Sequence, residues 1–324
     1  MAYSEDIIRR AQDRLQHAKA DHDSESAARI ARIYAAYPRL REIDVALRRS
    51  VAQAVAAALR HGEDPTPVIE RLKEENLSLQ REREWILDAN GLDESALEPA
   101  PICPHCNGSG YSGASMCECL QELCRQEQKK ELSSLLAGKE TFESFRLELY
   151  PSEPDPQTGI SPRMLMQSNF QLCKKYAREF SAASPSLLFT GAPGLGKTFL
   201  SACIARTVAD NGFSVVYDTA GKLISDFESA KFGGDHSGDL TKKYLQCDLL
   251  IIDDLGTEMS TQFSLSALYQ VINTRMMEEK PIIISTNLSA DGISQRYPGP
   301  IASRIRGTYT ICPFRGTDIR ALRR

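Results

Sequence analysis

The chain has 324 residues, 42% of them hydrophobic and 25% charged, with a net charge of −4 and an isoelectric point near 5.9. That length allows two or three domains and a sizeable core, while the acidic balance excludes a globally basic nucleic-acid coat, so any DNA contact has to come from a local patch. No apolar run approaches the roughly 20 residues of a membrane span, the charged start "MAYSEDIIRRAQDRLQHAKA" does not read as a signal peptide, and nine cysteines, four of them clustered, point to metal binding in a reducing cytoplasm rather than to disulfides.

Residues 1–100 are rich in Ala, Arg, Glu and Leu and poor in Gly and Pro. Ile43, Leu47, Val51, Val55 and Leu59 recur every four residues, which puts them on one stripe of a helix. "HGEDPTP" at 61–67 breaks that helix. A second helix is expected from near Pro67, with Val68, Leu72, Leu79 and Ile86 on one side. Asn90 and Gly91 stop it, because both tolerate the left-handed conformation. The segment reads as a helical hairpin with a small core of its own, as a docking module for a partner, or as both.

The stretch "CPHCNGSGYSGASMCEC" follows at 103–119. It carries two thiol pairs, Cys103 with Cys106 and Cys117 with Cys119, with ten residues between them. Zn²⁺ takes four ligands in a tetrahedron, and two short pairs joined by a loop supply them. His105 and Cys124 stand in reserve. The alternatives are four unligated thiols or a redox-active pair, and no thioredoxin-like βαβ pattern surrounds the C-x-x-C. Too few apolar residues are present for the stretch to fold alone, so the metal is expected to be structural. Residues 120–140 look helical and polar, and 150–162, with four prolines, reads as a linker or exposed loop. The expected domains are therefore a helical partner-binding region (1–100), a zinc module with a connecting helix (101–140) and a third domain over 141–324.

From about residue 163 the texture changes. An amphipathic helix over 164–182 leads to apolar strands at 186–190, 213–218, 249–253 and 281–285, with helical stretches at 197–211, 219–232 and 261–279 between them. Such alternation predicts an α/β fold, a parallel sheet covered by helices on both faces. "GAPGLGKT", Gly191-Ala192-Pro193-Gly194-Leu195-Gly196-Lys197-Thr198, fits G-x-x-x-x-G-K-[ST] between a strand and a helix. The glycines let backbone N–H groups point at phosphate oxygens, and the helix start adds its positive dipole. Lys197 is placed to reach the β- and γ-phosphates of ATP, and the Thr198 hydroxyl to ligate Mg²⁺. In "LLIIDD" two carboxylates emerge at the C-terminal end of a buried strand, where open α/β sheets bind ligands. Asp253 is expected to hold Mg²⁺, largely through water, and Asp254 to polarise the attacking water. Asn287 ends the next strand and is expected to orient that water or touch the γ-phosphate. The last stretch, 296–324, holds seven arginines (296, 304, 306, 315, 320, 323 and 324) against one acid, Asp318. It reads as a local basic patch suited to phosphate, in a neighbouring subunit's nucleotide or in a DNA backbone.

Four blocks in this order, "GAPGLGKT", "LLIIDDLGTE", "ISTN" and "SRIRG", closing with "FRGTDIR", resemble the DnaC/DnaI-type loaders of replicative helicases within the AAA+ ATPases. "TFESFRLELYP" at 141–151 looks like that family's lead-in segment, so the resemblance covers roughly 141–324. It implies a P-loop core with little or no separate lid. Lys197 and Thr198 take the Walker A places, Asp253 and Asp254 Walker B, and Asn287 sensor 1. Arg304 looks like the arginine finger, with Arg306 beside it. AAA+ proteins more often carry Glu where Asp254 stands, which leaves a looser hold on water and fits a slow, switch-like ATPase. The implied role is ATP-timed placement of a DnaB-type helicase on single-stranded DNA, with an N-terminal region that grips the helicase and a site completed by self-association. IstB-type transposition helper ATPases share the same core blocks, and the long helical segment with its cysteines favours the loader. A small-molecule P-loop kinase gives Arg304 and the thiols no task. A structural adaptor with a degenerate site is opposed by intact Lys197, Thr198 and Asp253.

Overall fold

The computed structural model describes residues 3–59, 64–135, 140–156, 159–232, 239–297 and 299–320. Arg323, Arg324, the far end of the helix expected to reach 140, part of the break at 61–67 and part of the proline-rich loop lie outside the described residues. Contacts divide the chain into two compact units, residues 13–119 and residues 1–12 with 120–324.

Three helices begin the chain: α1 (Glu5–Ala36), α2 (Pro38–Ala58) and α3 (Thr66–Ala89). Pro38 occupies the first turn of α2, where its missing N–H costs nothing. The α2–α3 pair closes over a small core of Leu40, Leu87 and Leu97, with Tyr34 and Ile86 against it. A polar clasp reinforces this end. Tyr34 donates to Asp44 at 2.6 Å, and Arg83 reaches the same carboxylate at 3.0 Å. The expected stripe lies on α2, but only its first half packs. Ile43 is fully buried, whereas Val51 is 61% exposed and Leu59 72%. The core sits between the start of α2 and the end of α3, so the stripe runs on past it. Asn90 follows α3 and Gly91 adopts φ +63°, the expected left-handed stop. The thiol-bearing loop closes this unit with a minimal hairpin, β1 (Tyr111–Ser112) against β2 (Ser115–Met116).

Helix α4 (Glu118–Leu135) and helix α5 (Pro162–Arg178) precede a five-stranded sheet. Its strands are β3 (Leu187–Thr190), β4 (Val215–Thr219), β5 (Leu249–Leu255), β6 (Ile282–Thr286) and β7 (Thr310–Pro313). They lie in the order β4-β5-β6-β3-β7, and every pairing is parallel. The connections are α6 (Lys197–Asp210), α7 (Ala220–Phe232), α8 (Asp239–Gln246), α9 (Gln262–Met277), α10 (Ala290–Arg296) and α11 (Gly299–Thr308).

Strand side chains alternate between two cores. Leu187, Phe189, Ile251 and Ile283 join α5, α6 and the lead-in segment on one face. Leu188, Leu250, Ile252 and Ile284 join α7, α8, α9, α10 and α11 on the other. Burial on both faces is why these strands read as continuous apolar runs. The free edge of β4 is sealed by α4, where Gln128 accepts from Val215 N–H at 2.9 Å and donates to Phe213 O at 2.9 Å. The fold is the expected α/β core, a parallel sheet with helices on both faces. Strand β7 and helices α8, α10 and α11 were not anticipated. Among the described residues no helix is long and apolar enough to cross a membrane.

Candidate functional site

Between β3 and α6 the backbone must turn sharply, and three of its glycines make that possible. Gly191 sits at φ +143°, and a Cβ there would lie 2.3 Å from the Phe314 carbonyl oxygen. At Gly194, φ +77°, a Cβ would lie 1.9 Å from an Asp318 carboxylate oxygen. Gly196, φ +89°, precedes the first residue of α6. The loop is braced from two sides. Tyr150, 1% exposed, donates to Leu195 O at 2.9 Å. Ile319 N–H donates to Gly194 O at 3.1 Å.

The loop opens on a cleft of about 580 Å³, lined by Pro193, Leu195, Lys197, Thr198, Asp254 and Asn287 among others. Lys197 is only 5% exposed. Its Nζ donates to Gly191 O at 2.6 Å, Ala192 O at 2.9 Å and Asn287 Oδ1 at 2.8 Å. Burial pulls its ammonium below the ordinary lysine value, and the Asp254 and Asp253 charges oppose that pull. Asp253 is gripped from several directions. Its Oδ1 accepts from Ser285 Oγ, from Asp254 N–H at 3.1 Å and from Thr198 Oγ1 at 3.4 Å. Its Oδ2 accepts from Tyr217 OH at 2.8 Å. The β5–β6 ladder is irregular between Ile252 and Leu255, and Asp254 adopts φ +54° there. That bulge turns Asp254 into the cleft. Burial, then the neighbouring Asp253 charge, pushes Asp254 above the ordinary carboxylate value.

The structure thus brings together Gly191 to Thr198, Asp253, Asp254 and Asn287 at the C-terminal edge of the sheet. The donor set fits the expected groups. A loop with no room for side chains at its glycines leaves its amides free for phosphate, and Thr198 with Asp253 supplies the hard oxygen ligands that Mg²⁺ takes. Tyr150, Tyr217, Ser285 and Arg320 were not assigned to the site from sequence. For Ser285 a signal existed, since it precedes Thr286 and Asn287 at the end of a strand next to the acidic pair. The arginines of 296–320 that the structure describes have different partners. Arg320 lines the cleft of its own chain. Arg296 lies 3.5 Å from Glu258, and Arg306 donates to Ser294 at 3.1 Å. Arg304 is outside the cleft. Its guanidinium stacks over the Tyr269 ring at 4.9 Å and donates to that hydroxyl at 3.3 Å.

The four thiols of Cys103, Cys106, Cys117 and Cys119 converge, with all sulfurs within 4.8 Å of one another. Cys103 and Cys117 are 3.9 Å apart, Cys106 and Cys119 3.4 Å. A tetrahedral Zn–S₄ site with bonds near 2.3 Å sets its sulfurs about 3.8 Å apart, so the spacing fits. Left-handed turns at Asn107, Gly108 and Gly110 bring the chain back on itself. Burial and the adjacent Cys106 thiol raise Cys119. Thiols this close can all ionise together only with a cation between them. His105 and Cys124 are not part of the group.

Residues 171–300 match the family described as IstB-like ATP binding protein. The chain is 24% identical over 194 residues to the replicative helicase loader DnaC of Buchnera aphidicola subsp. Schizaphis graminum, covering 57% of this chain and 74% of that one. It is 25% identical over 134 residues to the replicative helicase loader DnaC of Escherichia coli, covering 41% and 55%. The match therefore spans just over half of the Escherichia coli protein. Among solved structures it is similar to a DnaC helicase loader, with a TM-score of 0.44 and 20% identity over 54% of this chain and 98% of that one. The resemblance read from the sequence blocks and these relatives coincide on DnaC-type loaders.

Proposed function

We propose that this chain is an ATPase that loads a DnaB-type replicative helicase onto single-stranded DNA, binding ATP with Mg²⁺ in the P-loop cleft. The observation that carries the reading is the convergence of Lys197, Thr198, Asp254 and Asn287 in one cleft, with Asp253 bonded to Thr198 beside it, in a chain similar to replicative helicase loaders. Lys197 and the loop amides hold the phosphates. Thr198 and Asp253 hold the metal, which neutralises charge on the phosphate oxygens when bound. Asp254 orients water and takes its proton. Asn287, already bonded to Lys197, fixes the lysine's direction as well as facing the terminal phosphate. Arg304, outside its own cleft, serves a neighbouring subunit in an ATP-dependent oligomer. The helical region within residues 1–100 grips the helicase, and the exposed Val51 and Val55 on α2, with Leu59 just past its end, are its contact stripe. Zn²⁺ held by the four cysteines shapes a small module within the unit of residues 13–119.

The test is co-elution of the full chain with the cognate DnaB-type hexamer, with and without ATP. ATP-sensitive complex formation is expected. The family match over 171–300 favours a second reading, an IstB-like ATPase that assists a DNA transposase. Hydrolysis stimulated by a transposase, with no helicase complex, would establish that one instead.

A further inference from the structure

We propose that Tyr217 is a positioning residue for the Asp253 carboxylate, holding it from the edge strand β4 in the rotamer that presents oxygen, beside the Thr198 hydroxyl, to a divalent cation. The inference rests on the nucleotide reading of the cleft and assigns a task to a residue outside every motif read from the sequence.

The geometry comes from sheet register. Tyr217 pairs with Ile251, two residues before Asp253, and Thr219 pairs with Asp253 itself. Residues two apart share a face, and two strand residues rise about 6.6 Å. A tyrosine side chain spans about that length, so its hydroxyl arrives beside the carboxylate at 2.8 Å. A shorter polar residue at the same position falls short, and phenylalanine reaches but brings no donor. From the opposite neighbour strand, β6, Ser285 donates to the other carboxylate oxygen. Asp253 is thus held from both sides, by one strand each, with its two oxygens tied separately.

The tie is well protected. Tyr217 is 7% exposed and packs in the core beneath α6. Partners that orient a metal-binding carboxylate typically account for a ten- to hundredfold change in metal affinity.

Tyr217→Phe keeps the ring and removes the hydroxyl. Binding of a fluorescent, non-hydrolysable ATP analogue is titrated with Mg²⁺ in the full chain, and repeated in EDTA. The expected result is a half-saturating Mg²⁺ concentration raised about ten- to hundredfold, with analogue affinity in EDTA within about twofold of wild type. Ser285→Ala, which frees the other oxygen, is expected to shift the same quantity in the same direction. An unchanged Mg²⁺ requirement in Tyr217→Phe overturns the proposal. An equal loss of affinity in EDTA also overturns it, since that is the mark of a scaffold role. The wild-type control separates the two levels: if the wild-type chain binds no analogue in either condition, the nucleotide reading itself fails.

Discussion

Stripping metal from the thiol module should unfold residues 103–119 locally and leave the sheet intact. Between Cys103 and Cys119 the buried positions are two cysteines and two glycines, Gly108 and Gly110. Glycines contribute no side-chain packing, and the hairpin of β1 and β2 pairs only two residues from each strand. Nothing apolar in that loop offsets the backbone entropy of about 1–2 kcal/mol per ordered residue. Metal binding to a four-thiol site supplies on the order of 10 kcal/mol of folding free energy, which is the term left to hold the loop. The assay has two parts. Metal analysis of the purified chain should give one zinc per chain. Hydrogen exchange before and after a strong chelator should show protection lost across 103–119 and kept in β3, β5 and β6. Cys117→Ser, in a buried ligand, should reproduce the chelated pattern without chelator. A metal-free chain whose 103–119 amides stay protected would refute the reasoning.

Lys197→Ala should abolish nucleotide binding, whereas Asp254→Asn should bind and fail to hydrolyse, a loss of about 10²–10⁴-fold if Asp254 is the base; equal loss of affinity in both variants rules out that division of roles. Because Asp254 is raised in the fold, the folded state binds its proton more tightly than the unfolded state does. The ionised group therefore costs stability in full above its raised value and less as pH falls through it. Asp254→Asn should accordingly melt higher than wild type at neutral pH, and wild-type hydrolysis should decline on the acid side while binding persists. Arg304→Ala should bind ATP, lose any stimulation by helicase or single-stranded DNA, and recover activity when mixed with Lys197→Ala; a variant with normal hydrolysis and no rescue shows that Arg304 is not acting in trans. Arg275 is fully buried, and its guanidinium donates to Tyr244 O at 3.0 Å, Cys247 O at 2.9 Å and Pro281 O at 2.8 Å. Arg275→Met removes at least two charge-assisted hydrogen bonds at about 1.5 kcal/mol each, or roughly 6–12 °C in melting temperature for a unit of this size; a shift under about 2 °C contradicts that assignment.

The core of the fold was legible because burial on both faces writes long apolar runs, and "LLIIDD" and "PIIIS" can hardly be anything else. Strand β7 escaped for the opposite reason. It is an edge strand bonded on one side to β3, Thr310 and Ile311 are both exposed, and the alternation is too short to register. Helix α11 was hidden by the glycine and prolines at its start, and its arginines drew the reading toward a phosphate-binding patch rather than a helix. In the helical arm the four-residue spacing located α2 correctly but carried no information about where the covering surface stops. Periodicity reports which residues share a face, and burial depends on what arrives from elsewhere in the chain.

The site divides along a similar line. Residues whose chemistry lies in the local backbone, the glycines and Lys197, were readable from spacing alone. Tyr217 and Tyr150 act from 36 and 45 residues away in sequence, and nothing local marks them. Asp254 shows how the two kinds of information meet. From the sequence it is an Asp where Glu is commoner, and the expected consequence was a looser hold on water. In the structure its backbone stands at φ +54° on a bulge. Asp and Asn enter that region more readily than longer side chains, because a short polar group bonds locally. The shorter acid therefore suits the backbone that aims it. Asp254→Glu tests which constraint dominates. If reach to water limits the rate, the longer side chain should hydrolyse faster at unchanged stability. If the backbone limits it, Glu should lower the melting temperature and leave the rate no higher. The left-handed geometry favours the second outcome, and a faster, equally stable Glu variant would show that the bulge imposes no preference.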